Sequence, residues 1–224
     1  DTTNSSAKNV NTNAVTLGWD RKIDDDTIHG YTITYTQEDV EVGSSGTSVD
    51  IDSYSFSTYA TFNRSENQYI EGILGVSKLD FKNIRKSGSN TLTGSRIGKQ
   101  VFGSIQYINS VNGDKIDISP NIRLDLSSTS LSQYSEIGTN ALYYGKQTVE
   151  TVGLYSGLTF NNELLKNDFI LRPSAGFELG IDLSPSSDVS LNYVSDPNTK
   201  YTKSIDQQGE KSIKGKIGFD VLHN

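Results

Sequence analysis

Residues 169–183 constrain the fold of this chain more strongly than any other segment. Apolar side chains occupy every second position from Phe169 to Leu183, and the charged residues Arg172, Glu178 and Asp182 fall between them. Successive side chains of an extended chain point to opposite faces, so the segment predicts one β-strand with an apolar face and a charged face. Strands of globular domains are usually about five or six residues long. A strand of this length and polarity favours a membrane-spanning barrel, where apolar groups meet lipid and every backbone group is paired.

The same alternation recurs along the chain and predicts about nine antiparallel strands. Residues 116–126 repeat it most clearly. The remaining segments are 15–19, 31–35, 54–62, 69–81, 101–107, 152–160 and 213–221. Pro120 and Pro173 interrupt the two clearest strands. Because proline has no N–H to donate, each predicts a local bulge or an unpaired position.

The connections between these segments predict an up-and-down barrel. Short connections rich in turn-forming residues lie at 24–26, 64–68, 111–114 and 161–168, and long polar ones at 42–52, 82–97, 127–147 and 184–210. Strict alternation of tight turns with long loops is typical of outer-membrane barrels, whose periplasmic turns are short and whose extracellular loops are long. A soluble β-sandwich can also mix loop lengths, but it does not require such regularity.

The two ends of the chain add an expectation about completeness. Residues 1–13 would lie on the long-loop side as an extracellular lead-in, and His223 and Asn224 would lie on the short-turn side. Bacterial single-chain barrels have an even number of strands, which places both ends on the same side. Ends on opposite sides therefore predict that residues 1–224 form a single but incomplete barrel domain. At least one strand would be absent, most simply before residue 1, and with more strands after residue 224 the domain would be truncated at both ends.

Composition excludes several other classes of protein. No run approaches the roughly 18 to 20 consecutive apolar residues of a membrane-spanning helix. The net charge of −7 argues against a nucleic-acid partner, which would favour a basic face. Because the chain has no cysteine, it can form neither disulfides nor thiolate metal sites.

No residue pattern indicates catalysis or a metal site. The only histidines, His29 and His223, have no second histidine at metal-ligand spacing, and no Gly-x-Ser-x-Gly sequence accompanies them. The acidic run 24–26 lacks the spaced oxygen ligands and the glycine of a calcium loop. We therefore expect no enzyme activity, no cofactor and no metal, with an Asp/His pair of a barrel hydrolase as the remaining alternative.

The alternation along the strands assigns side chains to two faces of the predicted wall. Charged residues would point into the pore, where charges of both signs hold water and pair across the lumen. The predicted pore-lining residues are Arg123, Asp125, Arg172, Glu178, Asp182, Lys214, Lys216 and Asp220. The predicted lipid-facing residues are Ile116, Ile118, Ile122, Leu124, Phe169, Leu171, Phe177, Leu179 and Ile181. Two alternatives remain: the charges only satisfy a polar barrel interior, or they form the solvated face of a soluble sheet.

Aromatic side chains lie where the interfacial girdles of a membrane barrel would fall. These residues are Trp19, Tyr31, Tyr35, Tyr54, Phe62, Tyr69 and Tyr107. Girdle aromatics lie at the two membrane–water interfaces. Ordinary sheet packing explains aromatic residues as well, so the pattern supports the barrel only in combination with the strands.

The middle of the chain resembles a known family. In residues 118–160 a strand with Arg123 and Asp125 is followed by Tyr134-Ser135-Glu136, then by residues 141–145 (Ala-Leu-Tyr-Tyr-Gly), then by a strand beginning Gln-Thr-Val-Glu at 147–150. This order is similar to the β-domain of classical autotransporters. The opening segment 14–36 is similar to the early hairpin of that family, in which a Gly-x-Asp strand end precedes a short acidic turn.

This resemblance implies a twelve-strand barrel in the bacterial outer membrane, of which the chain would supply the second to the tenth strand. It implies a type V secretion translocator that anchors and helps export an N-terminal passenger to the cell surface. The implied partners are the passenger in cis, outer-membrane lipid and the barrel-assembly machinery, with no nucleic acid. The alternatives are a porin-like channel, a soluble β-sandwich that acts as an adhesin or binds carbohydrate, and the barrel hydrolase.

Overall fold

The computed structural model describes residues 8–43, 46–113, 116–166, 169–205 and 210–223. The regular elements of these ranges are all β-strands. They are β1 (Lys8–Lys22), β2 (Thr27–Val42), β3 (Thr47–Ser65), β4 (Gln68–Ser87), β5 (Asn90–Asn109), β6 (Asp117–Leu131), β7 (Tyr134–Ser135), β8 (Leu142–Tyr144), β9 (Gln147–Asn161), β10 (Leu164–Lys166), β11 (Phe169–Asp182), β12 (Ser187–Tyr193), β13 (Asp196–Ile205) and β14 (Lys211–His223). In the part of the chain that is described, no helix has the length and apolarity that crossing a membrane would need.

Nine long strands form one antiparallel sheet that curves into a half-barrel. Its order is β1-β2-β3-β4-β5-β6-β9-β11-β14, so each long strand pairs with the next long strand along the chain. The three-residue strand β10 pairs with the first residues of β11 and extends the line of β9. This architecture confirms the expected all-β, up-and-down, nine-strand arrangement.

Two of the predicted long loops are wrong. Strands β2 and β3 pair as far as Val42 and Thr47, and strands β4 and β5 pair as far as Ser87 and Asn90. The region 82–97 is therefore a continuous hairpin with a two-residue turn, in which Gly88 adopts a φ of 59°. The sequence misled because this hairpin has no regular apolar row: Ile84 and the fully buried Leu92 lie on opposite faces, and strands need no apolar face to pair their backbones. The predicted lead-in also shortens, because residues 8–13 belong to β1, while residues 1–7 lie outside the described ranges.

The other two long connections fold into a second sheet. Strands β7 and β8 come from the connection between β6 and β9, and β12 and β13 come from the connection between β11 and β14. Their order is β13-β12-β8-β7, and all pairs are antiparallel. Strand β7 contacts β5, and β12 contacts β9, so the second sheet lies against the end of the half-barrel where the long connections emerge. Residues 206–209 of the predicted loop 184–210 lie outside the described ranges.

The long sheet has one polar and one apolar face, and the polar face is the more covered. Ser57 and Ser77 on the polar face are 4% and 9% exposed, because side chains crowd together on the concave side of a curved sheet. On the other face Leu17 is 71% exposed and Val101 is 55% exposed. This distribution inverts the usual arrangement of a globular domain, in which apolar residues are covered and polar residues face solvent.

Both prolines occupy places where the strand ladder is incomplete. Pro120 lies one residue beyond the last pair between β5 and β6, which joins Ile108 to Asn121. Pro173 lies opposite the break between β9 and β10, where the backbone N–H of Asn162 donates to the Pro173 carbonyl. The prediction of an unpaired position beside each proline is confirmed, and the missing N–H therefore costs the sheet little.

Candidate translocation surface

The concave face of the half-barrel contains all eight charged residues that the sequence groups together. Arg123 lies directly opposite Tyr155 on β9, and Tyr155 lies opposite Gly180 on β11. Glu178 is in turn the direct partner of Lys214 on β14. Because residues two positions apart on a strand share a face, these pairings extend along each strand. The eight residues on this face are Arg123, Asp125, Arg172, Glu178, Asp182, Lys214, Lys216 and Asp220.

Four of the eight residues meet in one charged cluster. Arg123 Nη1 lies 2.8 Å from Glu178 Oε2, and Arg123 Nε lies 3.1 Å from Asp125 Oδ1. Lys214 Nζ lies 3.7 Å from the second carboxylate oxygen of Glu178. The side chains of Arg123 and Glu178 are 24% and 19% exposed, so water screens their ion pair only in part. Two cations and two anions thus form a cluster with no net charge.

Two uncharged side chains complete this cluster. The ring of Tyr155 lies beneath both cations, with its centroid 4.5 Å from Arg123 Cζ and 5.0 Å from Lys214 Nζ. Such cation–π contacts hold the two side chains against the wall. The Ser104 hydroxyl donates to Asp125 Oδ1 at 2.6 Å. The cluster therefore joins five neighbouring strands, β5, β6, β9, β11 and β14, across the concave face.

The other four charged residues lie outside this cluster. Arg172 Nε pairs with Glu163 Oε2 at 2.8 Å, near the turn that joins β9 to β11. Asp182 accepts a hydrogen bond from the backbone N–H of Ser184 at 2.7 Å, at the opposite end of β11. Lys216 lines a cavity of about 350 Å³ beside Arg123 and Glu178. Asp220 lies opposite Arg172 in the strand register, but no ion pair joins the two in the described structure.

Eight of the nine apolar residues predicted to meet lipid share the opposite face. On β6 and β11 they alternate with the charged residues, and most of their side chains are exposed. The exposed members are Ile116, Ile118, Ile122, Phe169, Phe177 and Leu179, and the half-buried members are Leu124, Leu171 and Ile181. Ile116 lies one residue before β6, so strand pairing does not assign its face. The geometry agrees with the predicted separation of faces, and contact with lipid stays a prediction.

Comparisons with known proteins decide the family. The family model described as "Autotransporter beta-domain" matches residues 1–224, the whole chain. The chain belongs to the autotransporter β-domain family. The resemblance in the sequence is thereby confirmed, and the domain is an outer-membrane translocator barrel of type V secretion that exports a passenger domain. The family is one of transport and structure rather than of enzymes.

Two solved structures share the fold of this autotransporter β-domain. The translocator domain of the autotransporter NalP from Neisseria meningitidis aligns with a TM-score of 0.70 at 15% identity, over 95% of this chain and 81% of that chain. The β-domain of the Bordetella autotransporter BrkA aligns with a TM-score of 0.68 at 13% identity, over 96% of this chain and 90% of that chain. No curated protein sequence matches the chain.

The autotransporter β-domain has functional contacts that the sequence reasoning missed. Tyr155 and Ser104 could have been predicted, because the alternation along β9 and β5 places both side chains on the charged face. The ion pair between Arg85 and Glu136 joins residues 51 positions apart, and no local sequence pattern predicts it.

This long-range ion pair fastens the second sheet to the half-barrel. Arg85 donates through Nε and Nη2 to the two oxygens of Glu136 at 2.7 and 2.6 Å. Glu136 also accepts a hydrogen bond from the backbone N–H of Leu142 at 2.9 Å. Beside it the rings of Tyr134 and Tyr144 stack with centroids 4.8 Å apart. Burial raises the pKa of Tyr134 to about 12 and also raises the pKa of Tyr144.

Six of the seven predicted girdle aromatics lie on the apolar face. The strand register pairs Trp19 with Tyr31 and Tyr35 with Tyr54, and along each strand these residues share the face of the apolar side chains. Tyr69 is the exception, because its partners in the ladder, Asn63 and Ile108, belong to the polar face. The assignment of Tyr69 to a girdle is therefore wrong. The sequence misled here because the alternation of β4 is irregular near its start.

Proposed function

We propose that the apolar face of this translocator barrel meets outer-membrane lipid and that the concave charged face lines the path of the passenger. The observation that carries the proposal is the inverted distribution of side chains. Apolar residues are exposed along all nine long strands, while small polar side chains such as Ser57 and Ser119 are buried. An apolar surface of this extent is a liability in water and a requirement in lipid.

The length of the apolar rows supports contact with a bilayer. At about 3.3 Å per residue the row from Phe169 to Ile181 is about 40 Å long, or about 28 Å high when a strand is tilted by about 45°. The outward apolar band of transmembrane barrels is about 25 Å tall. On β4 the residues of the apolar face change from Val76 to Lys78, Asp80 and Lys82, so charged side chains begin where the apolar band should end.

The cluster around Arg123 suits a pore through which a polypeptide passes. Its paired charges hold water without giving the lumen a fixed sign, so the lumen would not retain passenger segments of one charge. Its ion pairs connect three strands, and its contacts to Tyr155 and Ser104 bring in two more, which stiffens the wall on the concave side. We assign these residues a binding and structural role, with no catalytic step. The passenger, attached in cis, would move as an extended chain past this surface.

We further propose that the long connections lie outside the cell. Among the described residues the two connections that form the second sheet, 132–146 and 183–210, leave the same end of the half-barrel. Long connections of outer-membrane barrels are extracellular, and short turns are periplasmic. Insertion in this orientation implies the barrel-assembly machinery as a partner.

The edges of the half-barrel bear on the domain organisation. Strands β1 and β14 each pair with one neighbour in the described structure. An unpaired strand edge is costly in lipid because no water satisfies its backbone groups. We propose that residues 1–224 form one barrel domain and that further strands of the same barrel close it between β14 and β1.

Cross-linking to a stalled passenger tests this proposal. Residues 1–224 contain no cysteine, so a cysteine introduced there is the only thiol in this part of the barrel wall. Gln106 lies on the concave face, beside the cavity that contains Arg123, and its neighbour Ile105 is exposed on the apolar face. In the full-length protein, with a passenger arrested by a folded domain, Gln106→Cys should form a disulfide with a cysteine in the passenger segment within the pore, and Ile105→Cys should not. Cross-linking at Ile105→Cys alone, or at neither position while the passenger reaches the surface, would overturn the assignment of faces.

A further inference from the structure

A groove crosses the apolar face close to the charged end of the strands. It has a volume of about 840 Å³, and four directly paired residues of β2 to β5 form its floor: Ile33, Phe56, Val76 and Val101. Direct cross-strand pairing aligns these side chains in one row across the sheet. The floor of the groove is therefore apolar, as contact with acyl chains requires.

The adjacent row, one step closer to the second sheet, is basic. It consists of Tyr35, Tyr54, Lys78, Lys99 and Ser130, each the direct partner of the next across β2 to β6. Lys78 and Lys99 both line the groove and lie directly opposite each other. Like charges at directly opposite positions destabilise a sheet unless an anion lies near them.

The protein supplies one carboxylate to these two cations. Lys78 Nζ pairs with Asp80 Oδ2 at 2.7 Å, and Lys99 has no ion pair in the described part of the chain. The pair of lysines therefore keeps a positive charge in a domain whose net charge is −7. The overall negative charge repels anionic surfaces in general, so an anion that binds here must be held locally.

Hydroxyl groups extend the donor set of the groove. Ser130 is the direct partner of Lys99, and Ser128 is the direct partner of Val101 in the apolar row below. Both serines line the groove. Two ammonium groups beside two hydroxyls suit a phosphate, which accepts hydrogen bonds through several oxygens.

We propose that this groove binds a phosphorylated glycolipid of the outer leaflet, with the chemistry of lipopolysaccharide. Its acyl chains lie on the row from Ile33 to Val101, and its phosphate lies between Lys78 and Lys99. The inference rests on the proposed function, because it requires the apolar face in lipid and the long connections outside. A lipid of this kind would then be bound at one place on the barrel wall, below the second sheet.

Titration of the folded domain in detergent micelles with purified lipopolysaccharide tests the proposal. The double variant Lys78→Gln/Lys99→Gln should bind at least about tenfold more weakly, because it loses charge-assisted hydrogen bonds to the phosphate. Lys82→Gln is the matched control: Lys82 lies further along the same face of β4, pairs with Asp52 at 3.4 Å, and does not line the groove. This control should change the affinity by less than about twofold. Equal affinity of the wild-type protein and the double variant would overturn the proposal.

A second measurement needs no variant. The wild-type domain should bind dephosphorylated lipopolysaccharide as weakly as the double variant binds the intact lipid. It should bind phosphatidylglycerol no more tightly than it binds the dephosphorylated lipid. The proposal would be overturned if the domain bound intact and dephosphorylated lipopolysaccharide equally, or bound phosphatidylglycerol as tightly as intact lipopolysaccharide. These failures are distinguishable from failure of the proposed function, because the passenger cross-link at Gln106→Cys does not depend on Lys78 or Lys99.

Discussion

Replacing Arg123 with glutamine measures how strongly the charged cluster stabilises the barrel wall. The substitution removes the ion pairs with Glu178 at 2.8 Å and with Asp125 at 3.1 Å. It also removes the cation over the Tyr155 ring, 4.5 Å from the centroid. Glu178 keeps one cation, Lys214, at 3.7 Å. The carboxylates are therefore left partly, not wholly, without partners.

The expected cost lies between the values for exposed and buried ion pairs. Breaking a buried pair costs about 3–5 kcal/mol, whereas an exposed pair contributes about 0.2–1 kcal/mol. The side chains of Arg123 and Glu178 are mostly covered but retain some contact with water. Because Lys214 also compensates in part, we expect Arg123→Gln to lower the free energy of unfolding by about 2 kcal/mol.

Urea titration of the refolded domain in liposomes, followed by circular dichroism and by heat-modifiable gel mobility, measures this loss. Arg172→Gln is the matched control, since Arg172 also pairs at 2.8 Å on the same face, but its side chain and that of Glu163 are 50% and 48% exposed. We expect this control to cost less than about 1 kcal/mol. Equal losses for the two variants would refute the reasoning that burial of the cluster sets its energetic weight.

Three further predictions follow from the faces and from the second sheet. Leu179→Arg should cost about 2–4 kcal/mol of unfolding free energy in liposomes, because it places a cation in lipid. A larger loss for Glu178→Arg in the same titration would invert the faces. Glu136→Gln should speed trypsin cleavage of the second sheet, because it weakens the two hydrogen bonds that Arg85 donates at 2.7 and 2.6 Å, and an unchanged rate would contradict this anchoring role. The Tyr134 pKa of about 12, against the usual 10.0, means that the folded state favours the neutral phenol, so stability present below pH 10 is lost as the pH rises towards 12. Phenolate absorbance should show a late ionisation step that Tyr134→Phe removes, and ionisation of Tyr134 at its ordinary pKa in the folded protein would contradict it.

The strand arrangement could be predicted from the sequence because period-two alternation is a local property. Residues 169–183 and 116–126 show both faces in their own residues, and the structure pairs them through β9 with an unbroken register from Asn121 to Gly157 to Glu178. The same alternation grouped all eight charged residues on one face. Nothing more than the side-chain period was needed for these results.

The remaining features depend on pairing between distant residues, which the sequence does not reveal locally. The sequence predicted a loop at 82–97 because this segment has no regular apolar row. Its backbone is nevertheless paired, and the ladder includes Arg85 with Leu92 and Ser87 with Asn90. The second sheet combines strands from two connections that lie some fifty residues apart in the sequence. Which four of the eight charges meet at Arg123 depends on the register of four strands, β6, β9, β11 and β14, and a single sequence does not specify that register.

Tryptophan fluorescence in bilayers that contain brominated lipid tests the central claim most directly. The only tryptophan, Trp19, lies exposed on the apolar face, and Trp19→Phe provides a background without fluorescence from that site. In this background Leu158→Trp and Thr159→Trp place the probe at neighbouring positions of β9 on opposite faces. We predict strong quenching by brominated acyl chains for Trp19 in the unaltered chain and for Leu158→Trp, and little for Thr159→Trp. Stronger quenching of Thr159→Trp than of Leu158→Trp, or equal quenching of both, would contradict an apolar face in lipid and a charged face along the passenger's path.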